Sequence, residues 1–329
     1  MPLFRKRSHL KLSIVVIVYD MPRQALNTLY TLSTNYQRNI SESDYEVLVI
    51  ENRSANNLEQ SQVEALPGQF RYFLRDETQP TPVHAINFGA SQARAEQLCI
   101  MVDGARMVSP QLIHYTLQAQ RLYPNPVVSV PGYHLGHQLQ QDSVLSGYGE
   151  AAEMELLASV NWQEDGYQLF NISCLSGTSK PGFFKPIGES NTLGIRRTTF
   201  DQIGGFDPGF TETGGGQCNL DFYKRVIELE NTQLIQLFGE GSFHQFHGGI
   251  TTGKDTGTAR DEMMQRHFDQ YKSLRGEYYS PPMKDAVYLG ELPPPLMKFV
   301  HYSAQSVRRS RGELAEPDVE GEAGNNPAK

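Results

Sequence analysis

Between residues 12 and 103 the apolar positions fall in short unbroken runs separated by stretches with helical spacing. LSIVVIV (12–18), YEVLVIE (45–51), FRYFL (70–74) and LCIMVD (98–103) read as strands, and 22–36, 57–66 and 83–95 read as amphipathic helices. Strands that are apolar on both faces belong to covered parallel sheets, so the order predicts a βαβαβαβ unit with right-handed crossovers and helices on both sides. Such sheets bind ligands at the carboxyl ends of their strands. Those ends hold Tyr19 and Asp20, Glu51 and Asn52, and Asp103, Gly104, Ala105 and Arg106. Each carboxylate also has a local reading. Asp20 is placed to cap the helix that starts near Pro22, Glu51 to be solvated in an Asn- and Ser-rich turn, and Asp103 to favour the turn at Gly104. Their recurrence at three of four strand ends is what points to a site.

Beyond 103 the pattern gives a helix over 110–122 and a strand at PVVSVP (126–131). The stretch 133–190, rich in Gly, Gln and Ser, has no period and reads as an insertion around a site. From Gly188 to Glu228 come a turn, a short helix, a glycine-rich loop and a helix starting near Cys218; QLIQLF (233–238) is a further strand, followed by GEGSFHQFHGGITTGKD (239–255). An amphipathic helix is expected over 259–274, with Met263, His267 or Phe268, and Tyr271 along one face. A second helix follows Pro293, Pro294 and Pro295 and carries Arg308, Arg309 and Arg311. These breaks divide the chain into an N-terminal extension (1–11), two halves (12–125 and 126–256), a C-terminal helical extension (257–312) and a disordered acidic tail (313–329).

Composition narrows the class. With 39% hydrophobic and 20% charged residues over 329 positions, the chain has the apolar surface of an ordinary globular protein, which excludes disorder throughout. A net charge of −8 argues against a nucleic-acid partner. Cys99, Cys174 and Cys218 are too scattered for a zinc knuckle and too few for a disulfide framework, so a reducing, cytoplasmic setting is expected. No run approaches the ~20 apolar residues of a membrane span, and the run 12–18 ends at Asp20 with no small-residue cleavage site, so it reads as a strand. The first strand is followed by YDMPRQ in place of a glycine-rich dinucleotide loop. Gly248 to Lys254 has phosphate-loop spacing but continues with Asp255, and no G-x-S-x-G is present.

Asp103 at a strand end and His244 and His247 in a glycine-rich loop form the remaining constellation. A hard divalent cation on a diphosphate needs few protein ligands, and a mixed carboxylate and imidazole set suits manganese. The alternative is that the histidines pack or cap the loop.

Taken together, SIVVIVYD, VLVIENRS, HAINFGASQARAEQLCIMVDGA and SNTLGIRRTTFDQIGGFD resemble the successive blocks of GT-A fold glycosyltransferases of the family 2 type, over about residues 12 to 250. The resemblance implies a GT-A α/β fold: a mixed central sheet with a parallel βαβ N-terminal half and helices on both faces. It makes 12–125 the nucleotide-sugar-binding half and 126–256 the acceptor-side half with the histidine loop. It further implies that Tyr19, Asp20 and Glu51 cradle base and ribose with Asn87 nearby, that Asp103 binds Mn2+ or Mg2+, and that His247 or His244 completes the metal or diphosphate site. Two positions depart from the pattern. Ala105 replaces the second aspartate of Asp-x-Asp, and Gln217 and Cys218 stand where the family carries Glu-Asp. An inverting transfer needs a carboxylate to take the acceptor proton. Asp221 is the candidate, Glu212 its competitor, and Asp207 a turn residue; Lys254 and Arg260 can supply cationic charge.

The implied activity is transfer of a sugar from a nucleotide-diphosphate-sugar to a hydroxyl of a glycan, lipid-linked or small-molecule acceptor. The alternative is a catalytically inactive nucleotide-sugar-binding or scaffold protein on the same fold. Leu296, Phe299 and Val300, upstream of the arginines, allow either peripheral contact with an anionic membrane or packing on the catalytic domain.

Overall fold

The runs predicted as strands form β1 (Leu12–Val18), β2 (Tyr45–Asn52), β3 (Phe70–Arg75) and β4 (Gln97–Met101) in a computed structural model that describes residues 10–248 and 258–315. All of β1 and β2 is buried, which is why their sequences are apolar without alternation. The short β5 (Arg106–Val108), β6 (Pro126–Ser129), β7 (Gly132–Leu135), β8 (Ser173–Leu175), β9 (Thr192–Arg196), β10 (Gln233–Leu237), β11 (Ser242–His244) and β12 (Val287–Leu289) follow. Among the described residues, eight strands make one sheet in the order β12-β10-β6-β9-β4-β1-β2-β3. It is a mixed sheet: β9 runs antiparallel to both β4 and β6, and the other neighbours are parallel.

Each face of this sheet has its own core. Helices Pro22–Thr31 and Leu112–Leu122 bury Ala25, Leu29, Leu112 and Ile113 on one side. Helices Val83–Gln92 and Cys218–Ile227 bury Ile86, Ala90, Phe222 and Val226 on the other. Gly89 lets the helix Val83–Gln92 sit directly on the sheet, since a Cβ there would collide with Val15 and Ile50. Because β9 is antiparallel, its start lies at the carboxyl ends of the parallel strands, where the Val102 amide donates to the Asn191 carbonyl at 3.4 Å.

A second, four-stranded sheet, β5-β11-β7-β8, draws two of its strands from the stretch 133–190. Its strands are three or four residues long, too short to impose a visible alternation on the sequence. The core beneath it is aromatic: Tyr133, Trp162, Phe170, Phe243 and Phe299.

The C-terminal segment contributes more than helices, because β12 adds an edge strand to the main sheet beside β10. In the helix Thr258–Arg275, His267 and Tyr271 are buried and Phe268 is exposed, which places the histidine on the packed face. In the helix Met297–Ser310, the Phe299 ring packs 4.9 Å from Tyr133, Leu296 just before the helix is fully buried, and Ser303 Oγ accepts the Phe183 amide at 3.0 Å. The apolar residues on which the peripheral-membrane reading relied are therefore committed to the aromatic core. No helix among the described residues is long and apolar enough to cross a membrane.

Candidate functional site

At the end of β4 the chain turns through Asp103, whose Oδ1 accepts the Ala105 amide at 2.9 Å. The turn-forming reading of Asp103 thus holds for one oxygen. The other, Oδ2, lies 3.2 Å from His244 Nε2, 3.9 Å from His247 Nε2 and 3.5 Å from Arg106 Nε. The two imidazole Nε2 atoms are 3.2 Å apart, and the three ligand atoms lie within 4.8 Å of one another.

The chemistry of this cluster is set by Gln140. Its Nε2 donates to the His244 carbonyl at 2.9 Å, which leaves its Oε1 to accept from His244 Nδ1 at 2.6 Å. With the proton held on Nδ1, His244 presents a bare Nε2 lone pair to Asp103. Burial pushes the His244 imidazole down to about 4, against the pull of Asp103, so it is neutral near pH 7. Burial also opposes ionisation of Asp103, but His247 and Arg106 outweigh it and hold the carboxyl well below its usual range. Electron-rich groups thus converge with no donor of their own between His244 and Asp103, a donor set that fits a divalent cation.

The histidine loop is held by side chains from distant elements. The Gln245 amide donates to the Ala105 carbonyl at 2.8 Å, and its side chain joins Asn27 Nδ2, the Gln24 carbonyl and Thr28 Oγ1. Phe246 accepts from Gln24 Nε2 at 2.7 Å and donates to Glu153 Oε2 at 2.5 Å. Arg106 is buried, and its Nε and Nη1 have no hydrogen-bond partner among the described residues. Buried guanidinium donors are rarely left unpaired, and the charge facing Arg106 here is Asp103 Oδ2 at 3.5 Å.

The remaining nominated residues are distributed as follows. Tyr19 is 59% exposed at the end of β1. Asp20 has a left-handed backbone (φ 54°) and accepts from Asn56 Nδ2 at 2.9 Å, while no side chain caps the following helix. Glu51 is fully buried and its carboxylate accepts the Leu58 amide at 3.0 Å and Tyr72 Oη at 2.7 Å. It is therefore neither solvated nor free, and shapes the turn after β2. Asn87 is a clamp: its Nδ2 donates to the Phe206 carbonyl at 2.8 Å and its Oδ1 accepts the Phe206 amide at 3.0 Å, so both ends of the amide are occupied by the GGFD turn.

Asp221 is not free to receive a proton from an acceptor. It is 1% exposed; Arg275 Nε meets Oδ1 at 2.5 Å, and Arg225 Nε and Arg275 Nη2 meet Oδ2 at 2.7 and 3.0 Å. Arg275 also binds Asp207 at 2.6 Å, and Asp207 accepts the Gly209 amide at 2.8 Å, as a turn residue does. Glu212 is partly exposed in the glycine-rich loop with Arg266 Nε 3.6 Å away. Lys254 lies outside the described residues.

Glu189, to which the sequence pattern assigns no role, lies in the segment before β9. Its carboxylate accepts from Thr178 Oγ1 at 3.2 Å and Asn219 Nδ2 at 3.1 Å. Asn219 also donates to Asn191 Oδ1 at 3.2 Å, which joins the first turn of the helix Cys218–Ile227 to the residue preceding Asp103.

No family model and no curated protein matches the chain. Among solved structures it is similar to S. aureus TarS, at 11% identity and a TM-score of 0.48, over 80% of this chain and 44% of that one. It is similar to S. aureus TarS 1-349 at 12% identity and a TM-score of 0.48, over 81% of this chain and 73% of that one. The complex of TarS 1-349 with UDP-GlcNAc gives 10% identity and a TM-score of 0.47, over 95% and 77%. The chain spans less than half the length of the first of these structures.

Proposed function

We propose that the chain is a GT-A glycosyltransferase that moves a sugar from a nucleotide-diphosphate-sugar to an acceptor hydroxyl with inversion. The observation that carries this reading is the convergence of Asp103 Oδ2 with the Nε2 atoms of His244 and His247 at the carboxyl end of β4. Asp103, His244 and His247 would hold Mn2+ or Mg2+, which when bound to the donor offsets the charge that develops on the departing diphosphate. Arg106 adds guanidinium donors for the same oxygens, and so covers part of the charge that Ala105 does not. Tyr19 and Asp20, at the end of β1, are assigned to the base and ribose, with Glu51 holding the adjoining turn in shape.

An inverting transfer is a single displacement, so the acceptor oxygen attacks from the side opposite the diphosphate while a carboxylate takes its proton. Of the two carboxylates nominated for that task, Glu212 has the exposure to reach an acceptor, whereas Asp221 is ion-paired through both oxygens. We assign the proton transfer to Glu212 and a positioning role to Asp221. The three unpaired cysteines accord with a reducing, cytoplasmic setting.

A second reading, nucleotide-sugar binding without transfer, is favoured by Ala105 and Gln217 standing in place of acidic residues. Thermal shift with UDP, GDP and dTDP, each with and without MnCl2, tests the shared part of both readings. One nucleotide at a hundredfold excess over its Kd should stabilise the chain by about 2.7 kcal/mol, and more so with manganese. Absence of any manganese-dependent shift would overturn the site. Release of nucleotide from the matching sugar donor then separates an enzyme from a binding protein.

A further inference from the structure

A cavity of about 430 Å³ lies between the start of the helix Cys218–Ile227 and the helix Thr258–Arg275, lined by Gln217, Gln265, Phe268, Tyr278 and Tyr279. This is within the range of roughly 300–1,000 Å³ usual for small-molecule sites. Its lining is aromatic rings and amides, and beside it the Lys272 ammonium sits 4.5 Å from the centroid of the Tyr278 ring. Two of the rings are unusually open for their size, Phe268 at 37% and Tyr278 at 51% exposure. Gln217, by contrast, is only 8% exposed, yet its Oε1 has no hydrogen-bond partner among the described residues. A buried amide oxygen without a donor costs free energy that a ligand hydroxyl can recover.

The composition of the lining selects the ligand. A phosphate or nucleotide would need several converging cations or backbone donors, whereas the Lys272 ammonium beside this lining is engaged with the face of Tyr278. An acyl chain would leave the Gln217 oxygen unpaired. A neutral sugar meets both demands, since its C–H face packs on an aromatic ring while its hydroxyls donate to and accept from amides. Two further unpaired atoms, Nε2 of the buried His267 and Oε1 of Gln270, face the adjoining glycine loop, where a Cβ on Gly216 would lie 3.6 Å from His267 and 3.4 Å from Gln270.

A relay of hydrogen bonds runs from the cavity to Val102, the residue before Asp103. Tyr279 Oη donates to the Gly188 carbonyl, next to Glu189. Glu189 accepts from Asn219, Asn219 also donates to Asn191, and Asn191 accepts the Val102 amide. We infer that this cavity is the acceptor subsite and that it takes a neutral saccharide, one ring resting on Tyr278 or Phe268 and one hydroxyl donating to Gln217. Its standing as an acceptor subsite rests on the transferase reading above; its standing as a saccharide site does not.

The test uses the full chain with UDP and MnCl2 and, as probes, the methyl glycosides of glucose, galactose, N-acetylglucosamine and rhamnose, followed by saturation-transfer NMR. At least one glycoside should bind, and Tyr278→Ala, at an exposed position, should weaken it about tenfold, equivalent to about 1.4 kcal/mol, with UDP affinity unchanged. Gln217→Met, which removes the polar atoms at similar size, should weaken it too. No glycoside binding, or binding indifferent to Tyr278→Ala, overturns the inference. If UDP binds and no glycoside does, the subsite falls and the transferase reading stands. Tyr278-dependent glycoside binding in a chain that binds none of UDP, GDP and dTDP keeps the saccharide site and removes the transferase reading.

Discussion

Glu153 Oε2 accepts the backbone amide of Phe246 at 2.5 Å, so the helix Glu150–Ala158 fastens the stretch between His244 and His247 from 93 residues away. Glu153 is fully buried, and Arg23 Nη2 approaches its other oxygen at 3.2 Å. The spacing of the two imidazoles therefore depends on a side chain outside their loop.

Glu153→Ala should lower stability by about 1–3 kcal/mol, because the Phe246 amide is left without its acceptor. It should also weaken the manganese response, since His247 loses its support. Glu153→Gln keeps an acceptor oxygen and should be milder in both respects. Urea melts and manganese titrations on the two variants check this; equal behaviour would show that the bond does not fix the loop.

Asp103→Ala removes the carboxylate on which His244, His247 and Arg106 converge. Manganese-dependent donor affinity should fall about tenfold or more, a loss of about 1.4 kcal/mol per decade. Calorimetric titration of UDP with and without manganese in a folded variant makes the measurement, and unchanged affinity would remove Asp103 from the site.

Gln140→Leu should act on the metal through His244 alone. Without an acceptor for Nδ1–H the imidazole is free to change tautomer, and loss of such a partner typically costs about 10–100-fold in metal affinity. Excess manganese should restore donor binding in this variant and in His247→Ala. A loss of turnover in His247→Ala that manganese cannot relieve, with donor binding normal, would mean that His247 positions the acceptor instead.

Asp221→Asn and Glu212→Gln should part company. The first leaves Arg225 without a charged partner and Arg275 with Asp207 alone, and should cost up to about 3 kcal/mol of stability, less because both guanidiniums reach solvent. The second should keep stability and donor affinity but lower turnover by about 10²–10⁴-fold. Urea melts, UDP titration and turnover on the same preparations distinguish them; full turnover in Glu212→Gln would displace it as the base.

The contribution of Glu240 to stability should fall as pH rises towards neutrality, opposite in sign to that of the buried, neutral His244. Burial pushes the Glu240 carboxyl up to about 7, although Ser109, Tyr167 and the Gln111 amide donate to it. The folded state then holds this proton more tightly than the unfolded chain does. The contribution is complete below about pH 4.3, the unfolded value, and is lost as pH passes about 7. Between about pH 5 and pH 8 the loss should be on the order of 1–3 kcal/mol. Glu153, also pushed up to about 7 by burial, adds to it with the same sign. Glu240→Gln should flatten the profile in thermal melts, and an unchanged slope would rule Glu240 out as its source.

The sequence by itself determined the parallel half of the sheet, because strands covered on both faces are mostly apolar without alternation, as the central runs of β1 and β2 are. It also located the Asp103 end of that sheet and the histidine loop, since topology brings strand termini and their following loops to one edge. The second sheet was not legible, because strands of three or four residues carry no readable period. Nor were the partners that fix chemistry: Gln140 on His244 at a separation of 104 residues, Arg275 on Asp221 at 54, and the clamp of Asn87 on Phe206 at 119. Local pattern reports which face of an element is buried. Whether a carboxylate is a base or half of an ion pair, and which imidazole nitrogen keeps its proton, depends on side chains that only the folded chain brings within hydrogen-bond distance.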